Sequence, residues 1–528
     1  MAVAIAKNKK QRCGKRGSGS NPTIHKPHGV LHPRVQKVGP ERFGIVSVDC
    51  AKARSKWMLC NFYGAVLVEP TELPHTRGHF ASAATLLREA MARHGLRDVI
   101  VAVERTGNYH LPVKRAWSAE GFEVRIVHPF ATKQFRQPAN PGVKTDDNDL
   151  AAICRAAVNG FGLMELPLDD VSRELQLLAR HRRDLVEKRS ALCCQIRERL
   201  EAVLPGYAAC FEDLWANDAN LEIARRFASP IAIRDAGVKG LTRLLKETKH
   251  RFLAPTLERI VAWSAQAPTP DPLAAIQHRL WLDLDIDRLA KTARIQALER
   301  DLARLVVQTP YVLLLSHPGI NVISAAELAG EMGPISNYAS HRAITGRAGL
   351  YPSRYQSDAV DLANGELIRC ANRSLRAILM LIASNLIKCN SHFRGLASLW
   401  QKHGHGPKWC RVDVASRFSR IAYQIVAGGQ VFHHPSCRER DYILDKLLEF
   451  HKQHGTPPQQ ILIDLQAAAA QVPQPEHAAE AAPLRTRLVQ SRRSRRSNPQ
   501  ALSDLLLVVL ARLGVGALQS DSRDQDPS

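Results

Sequence analysis

A chain of 528 residues is too long for one compact core, so two or more domains are expected. Its 73 Lys and Arg against 50 Asp and Glu leave a formal net charge of +23; that field favours a polyanion, nucleic acid first, with a solubility feature or basic tail as the plainer alternative. The composition argues against three classes: a membrane span, because no run of about 18 apolar residues occurs; a secretory signal, because no apolar stretch follows the N-terminal charges; and a zinc knuckle, because the 11 cysteines form no C-x-x-C, which fits a reducing cytoplasm.

Residues 1–40 carry nine Lys and Arg and no acid, and read as a basic disordered arm. Phe43–Asp49, Lys56–Phe62 and Ala65–Val68 are short β-branched or aromatic runs parted by small or polar turns, the pattern of three strands. An amphipathic helix over 80–94 follows, then a continuous apolar run, Asp98–Val103, expected as a buried central strand. Leu111–Glu120 reads as a helix, Glu123–Val127 as a strand and Asp146–Val158 as an alanine-rich helix. This order matches an RNase H-like mixed sheet with helices on both faces, expected over 41–165.

From Asp170 to Leu204 a long helix repeats Leu178, Leu185 and Leu192 at seven-residue spacing. That stripe suits a coiled-coil or dimer arm, or packing on the chain's own domain. A second long helix, about Leu273 to Val307, can pair back on it, giving a coiled-coil and helical linker over 166–310. Residues 311–450 read as a mostly helical unit, including a basic amphipathic helix over 409–427 with Arg411, Arg417 and Arg420. The stretch 451–528 is expected to be largely disordered; 466–500 is rich in Ala, Gln and Pro, six arginines stand between Arg485 and Arg496, and a helix is possible at Leu502–Leu513. His403, His405, His433 and His434 lack partners at ligand spacing and are assigned to loops. The fold class is therefore α/β plus all-α.

The chemistry sits in four carboxylates. Asp49 ends the first strand and Glu104 ends the central apolar strand. Asp146 and Asp149 lie three apart, hence on one helical face. Convergence of four like charges is costly unless divalent cations relieve it, and oxygen-only ligands suit Mg²⁺ or Mn²⁺. A metal pair at such a site clamps an in-line phosphoryl displacement. Taken singly, each carboxylate also fits a turn or helix cap. Asp147 is the nearest decoy, because adjacent helical residues point about 100° apart.

At these residues the sequence resembles a known family. Val48-Asp49, Glu104-Arg-Thr-Gly-Asn-Tyr109, Val127-His-Pro129 and Lys144-Thr-Asp-x-x-Asp149 resemble the DEDD domain of the IS-one-ten family of insertion-sequence transposases. His317-Pro-Gly-Ile320, Ala325-Ala-Glu-Leu-Ala-Gly-Glu331, Gly349-Leu-Tyr-Pro352, Tyr355-Gln-Ser357 and Gly365 through Arg376 resemble that family's C-terminal transposase domain. The resemblance covers about 43–205 and 310–440. It implies a RuvC-like nuclease domain joined by a coiled coil to a serine-bearing domain, with Ser357 attacking DNA at a site shared with metal-bound carboxylates. It also implies guidance by a noncoding RNA. Ser353 is the rival serine, and a loop serine capping the turn before Asp358 is the plainer reading of Ser357. Asp358, Asn321 and Ala371 depart from glycines common in the family.

Pro318-Gly319-Ile-Asn321 reads either as a helix-hairpin-helix turn whose amides hold a phosphate, or as an ordinary helix start capped by Ser316. Arg369, Arg373 and Arg376 are spaced for one helix face, for phosphate contact or as a solvated face. The leading expectation is a DNA transposase or recombinase that binds DNA and a guide RNA as a cytoplasmic dimer or tetramer. The alternatives are a two-metal nuclease in which water attacks, for which Ser357 is dispensable, and an inactive nucleic-acid-binding relic.

Overall fold

The computed structural model describes residues 31–137, 142–163, 168–353, 355–357, 360–362, 365–369, 371–432 and 440–473. The chain divides into two compact units at Pro167/Leu168. Most of the expected basic arm and tail, including Arg485–Arg496, Leu502–Leu513, His433 and His434, lies outside the described residues.

The first unit runs α1 (Leu31–Val38), β1 (Phe43–Cys50), β2 (Arg54–Asn61), β3 (Val66–Pro74), α2 (Arg77–Arg93), β4 (Asp98–Glu104), α3 (His110–Ala119), β5 (Glu123–Val127), α4 (Pro129–Arg136), α5 (Asp146–Val158) and β6 (Gly162–Leu163). Its sheet has six strands in the order β3-β2-β1-β4-β5-β6. β1 is antiparallel to β2 and parallel to β4, β4 is parallel to β5, and β5 is antiparallel to β6. Alternation sorts the side chains. Val46, Val48, Val101 and Val103 pack against Leu87 of α2 and Trp117 of α3. Ile45, Ile100 and Ala102 face the other way, against Leu150, Ile153 and Ala157 of α5. This is the RNase H-like fold expected from the element order. The disordered arm is corrected at its inner end. Residues 31–38 are helical, and Arg34 is paired with Asp98 and with Glu123, the latter at 2.8 Å. One guanidinium serving two strand-end carboxylates secures a segment that its composition alone marked as unstructured.

The second unit contains α6 (Asp170–Val203), α7 (Asp218–Arg226), α8 (Pro230–Glu247), α9 (Ala254–Gln266), α10 (Ala274–Val306), α11 (Val322–Met332), α12 (His341–Ala348), the hairpin β7 (Tyr355–Ser357) and β8 (Val360–Leu362), α13 (Arg373–Cys389), α14 (Ser391–Lys402), α15 (Pro407–Gly428), α16 (Arg440–Gln453) and α17 (Pro458–Gln471). α6 and α10 run antiparallel: Arg182 bonds Glu299 near one end, and Arg199 bonds Gln277 near the other. The heptad leucines Leu178, Leu185 and Leu192 are only half-buried, because a two-helix arm has no third wall. At the distal end Ile196, Leu200 and Val203 join Trp281 and α7–α9 in a core of their own. At the proximal end Leu175, Ala179, Leu302 and Val306 enter the main helical core with α11, α13, α15, α16 and α17. The break expected at 310 is thus bridged by shared packing.

One further correction concerns the tail. The tail expected to be disordered from 451 continues as α17, whose Ile461, Leu465 and Ala468 are buried. Alanine and glutamine are good helix formers, so composition hid an amphipathic stripe. The unit is mostly helical as expected, and it also holds the β7–β8 hairpin, with Ser357 paired to Val360 in its register.

Candidate active site

Asp49 and Glu104 extend β1 and β4 by one residue beyond the register pair Val48–Val103. They continue the alternation Ile45, Ser47, Asp49 and Ile100, Ala102, Glu104, so both side chains leave the sheet on the α5 side. Open sheets of this kind hold their ligands outside the carboxyl ends of the strands. α5 begins there, with Thr145 as its N-cap accepting from the Asn148 amide at 3.3 Å. Asp146 and Asp149 occupy its first turn, where the helix dipole favours negative charge.

The electrostatics records this convergence. The Asp49 carboxyl is pushed above its ordinary range by burial, then by repulsion from Asp149 and Asp146. Glu104 is raised by burial and by repulsion from Asp49 and Asp149. Lys144 pulls both the other way. The buried Thr132 hydroxyl makes no hydrogen bond of ordinary geometry among the described residues, yet it lies near enough to Glu104 to favour the charged form. Asp149 is 5 % exposed and Arg136 of α4 engages its Oδ1. Asp147 pairs at 2.7 Å with Lys56 of β2, which stands opposite Asp49 in the β1–β2 register. Among the described residues no three acidic, His or Cys side chains stand close enough together to hold a metal ion as they are placed. The cluster is an open set of hard oxygen donors in mutual repulsion, which a divalent cation relieves; that donor chemistry fits Mg²⁺ or Mn²⁺. Arg136 and Thr132 had no signal in the sequence, since no spacing rule links them to the carboxylates, and Lys144 stood in the quoted motif without a role.

In the second unit Ser357 ends β7 at the tip of the hairpin; the side chains of 354–364 lie outside the description. Ser353 sits at the base of the hairpin, its amide donating to Glu366 O at 2.7 Å and its carbonyl accepting from Gly365 at 3.0 Å. A Cβ at Gly365 would stand 2.4 Å from Ser353 Oγ, so the motif glycine is set by close approach.

The nucleic-acid assignment of Arg376 is corrected, Arg369 leaves the helix face it was expected to share, and Gly319 belongs to a packed turn. Arg376 donates to Ala348 O at 2.8 Å and to Ile368 O, so its guanidinium holds two backbone segments together. Arg369 precedes the helix it was expected to share, because Asn372 caps α13 by accepting from Leu375 at 3.0 Å; it is exposed and pairs with Glu366 at 3.2 Å. Gly319 has φ 93° and packs on Leu386, where a Cβ would come within 2.9 Å. Its turn presents carbonyls to Lys446, which bonds Leu315 O, His317 O and Ile320 O at 2.7–3.1 Å. The cap of α11 is Asn321, at 2.7 Å from the Ser324 amide, and not Ser316. Arg373 at the start of α13 is exposed, as Arg369 is.

The acidic motif of α11 is structural. Glu327 pairs with Arg182 and Arg183 at 3.1 and 3.0 Å, and Glu331, 1 % exposed, pairs with Arg180 at 2.7 Å. Glu331 also accepts from the α13 cap Asn372 at 3.2 Å, joining α6, α11 and α13.

A mixed RNase H-like sheet with two acids at its strand ends and two more in the first turn of α5, on a chain with a second, helical unit, fits the class of enzymes that act on nucleic-acid backbones. The DEDD domain model of IS110 elements, described as Transposase, matches residues 46–205, and the model of the transposase IS116/IS110/IS902 family matches 311–397. A probable family 20 transposase of Pseudomonas aeruginosa is 25 % identical over 323 residues, covering 60 % of this chain and 80 % of the relative. The transposase for insertion sequence element IS1328 of Yersinia enterocolitica is 24 % identical over 358 residues, covering 66 % and 92 %. An uncharacterized protein of insertion element IS116 from Streptomyces clavuligerus is 26 % identical over 275 residues, covering 51 % and 61 %. Both domain models of the IS110-family insertion-sequence transposases thus match this chain, in order, and the relatives that match it include insertion-sequence transposases. No helix among the described residues is long and apolar enough to cross a membrane.

Proposed function

We propose that the chain cuts and rejoins DNA by phosphoryl transfer, with Asp49, Glu104, Asp146 and Asp149 holding divalent cations and Ser357 as the attacking group. The observation that supports this reading is the mutual repulsion of two strand-end carboxylates and the first-turn carboxylates of α5. A bound Mg²⁺ or Mn²⁺ supplies charge stabilisation to the nucleophile and the leaving oxygen. Arg136 orients Asp149 through one oxygen, and Lys144 offsets part of the cluster's charge. A serine hydroxyl is weakly nucleophilic at neutral pH and gives up its proton as it attacks. Its bond to phosphorus replaces the bond to the departing DNA oxygen, so a later attack on the ester reseals DNA without ATP. The serine acts with the carboxylates of another subunit, in a dimer or tetramer, and a noncoding RNA guides the choice of DNA. The net charge of +23 supports backbone binding, to which Arg373 and Arg369 contribute.

The metal assignment is tested by exchanging Mg²⁺ for Fe²⁺ and generating hydroxyl radicals with ascorbate and peroxide. Backbone cleavage is expected next to residues 49, 104 and 146–149, and to vanish in Asp49→Asn. Cleavage confined to other segments, or unchanged in the variant, overturns the assignment.

A further inference from the structure

The segment Lys402-His-Gly-His-Gly-Pro-Lys-Trp409 joins α14 to α15 just beyond residue 397, where the C-terminal family match ends. Every residue from 401 to 409 is exposed. Trp409, in the first turn of α15, is 42 % exposed. Its ring is held in place. His405 stacks on it at 3.9 Å and 11° between planes, and Trp400 meets it edge-on at 5.6 Å. Arg417 lies over the Trp400 ring at 5.0 Å. The backbone fixes this group: the His405 amide donates to Trp400 O at 3.0 Å, Gly404 supplies a φ of 86°, and Pro407 opens α15. Cys410, buried next door, donates its amide to Gly406 O at 3.1 Å. The ring cluster is thus ordered before any ligand arrives, which lowers the entropy lost on binding.

Its surroundings are cationic. Residues 400–420 hold Lys402, Lys408, Arg411, Arg417 and Arg420 against a single acid, Asp413. That acid is already bonded by Arg417 at 2.6 Å. Aromatic faces set among phosphate-binding cations are how sequence-tolerant proteins hold unpaired bases. Duplex bases are stacked on one another and offer no face to a ring at the surface.

We propose that the His405–Trp409–Trp400 cluster is a stacking platform for unpaired bases of a single DNA strand. The proposal rests on the chain acting on DNA and goes beyond the acidic site, since it assigns a place to a strand whose partner has been displaced.

The test uses the full-length chain and a fluorescein-labelled 15-nucleotide single strand, with the matching duplex and the matching RNA as separate arms. Stacking contributes enough per base that Trp409→Ala should weaken single-strand DNA binding about 10-fold or more, with duplex affinity within about 2-fold of wild type. Trp409→Phe retains a ring and should recover most of the loss. The thermal melt of each variant, followed by circular dichroism, should coincide with wild type. Single-strand binding unchanged in Trp409→Ala, equal losses for single strand and duplex, or a preference of the platform for RNA alone overturns the proposal. A wild-type chain that binds neither single strand nor duplex overturns the DNA-acting reading itself, and this proposal with it.

Discussion

Asp49→Asn should abolish DNA strand transfer while raising the melting temperature of the chain in metal-free buffer. Loss of one ligand to a catalytic cation removes several kcal/mol of transition-state stabilisation, so activity should fall on the order of 10³-fold or more. The gain in stability has a separate cause. Burial and the neighbouring Asp149 and Asp146 hold the Asp49 carboxyl above its ordinary value, so the folded chain binds its proton more tightly than the unfolded chain. Stability from this group is therefore fully present at acid pH. It is lost as pH rises from the ordinary carboxylate range through the raised folded value. Asparagine carries no charge and escapes that loss. At pH 7 with EDTA the variant should melt higher by about 2 °C for each ~1 kcal/mol relieved. At pH 4 the difference should shrink, and Mg²⁺ should stabilise wild type more than the variant. Glu104, raised by burial and by Asp49, should behave alike. A variant that melts lower than wild type at pH 7 without metal contradicts the repulsive cluster.

Gly330→Ala should unfold the second unit at markedly lower denaturant, although alanine is ordinarily the better helix former. A Cβ at Gly330 would stand 2.6 Å from the Gln176 amide nitrogen and 2.8 Å from Gln176 Cα. These are backbone atoms of α6 and cannot move aside as a side chain does. α6 and α11 must part, and the pairs of Glu327 and Glu331 with Arg180, Arg182 and Arg183 bridge the same two helices. Overpacking together with stretched ion pairs on the buried carboxylates of Glu327 and Glu331 should cost about 3 kcal/mol or more. In urea the midpoint should fall with the slope nearly unchanged. Gly346→Ala is the matched control, because a Cβ there meets nothing within 4 Å and α12 is helical on both sides. It should be neutral or stabilise by about 0.5–1 kcal/mol. Equal midpoints for the two variants would show that close approach is not what selects glycine at 330.

The sheet and its two strand-end acids were legible because an apolar run closing on a carboxylate is a one-dimensional signal, and Asp146 with Asp149 carried helical spacing. Arg136 was not legible: its partner Asp149 lies across a loop and on another helix. Arg376 was misread for a related reason. Helical spacing says which residues share a face, but not that Ala348 and Ile368 carbonyls lie beneath that face. Arg369 was displaced from the pattern by the Asn372 cap, which starts α13 four residues after it. Gly319 was read for its amides, whereas its positive φ and the nearness of Leu386 explain the residue through packing. The Ala- and Gln-rich stretch after 455 looked like low complexity, and only the depth of Ile461 and Leu465 reveals a packed helix.

The central claim is that the acidic cluster and Ser357 perform phosphoryl transfer together. Its most direct test is to incubate the chain with donor and target DNA and Mg²⁺, trap covalent protein–DNA adducts under denaturing conditions, and map the modified peptide. The account predicts an adduct on Ser357 that requires Mg²⁺ and is absent in both Ser357→Ala and Asp49→Asn, while Ser353→Ala retains it. An adduct on Ser353, or strand transfer that survives Ser357→Ala, would contradict the account.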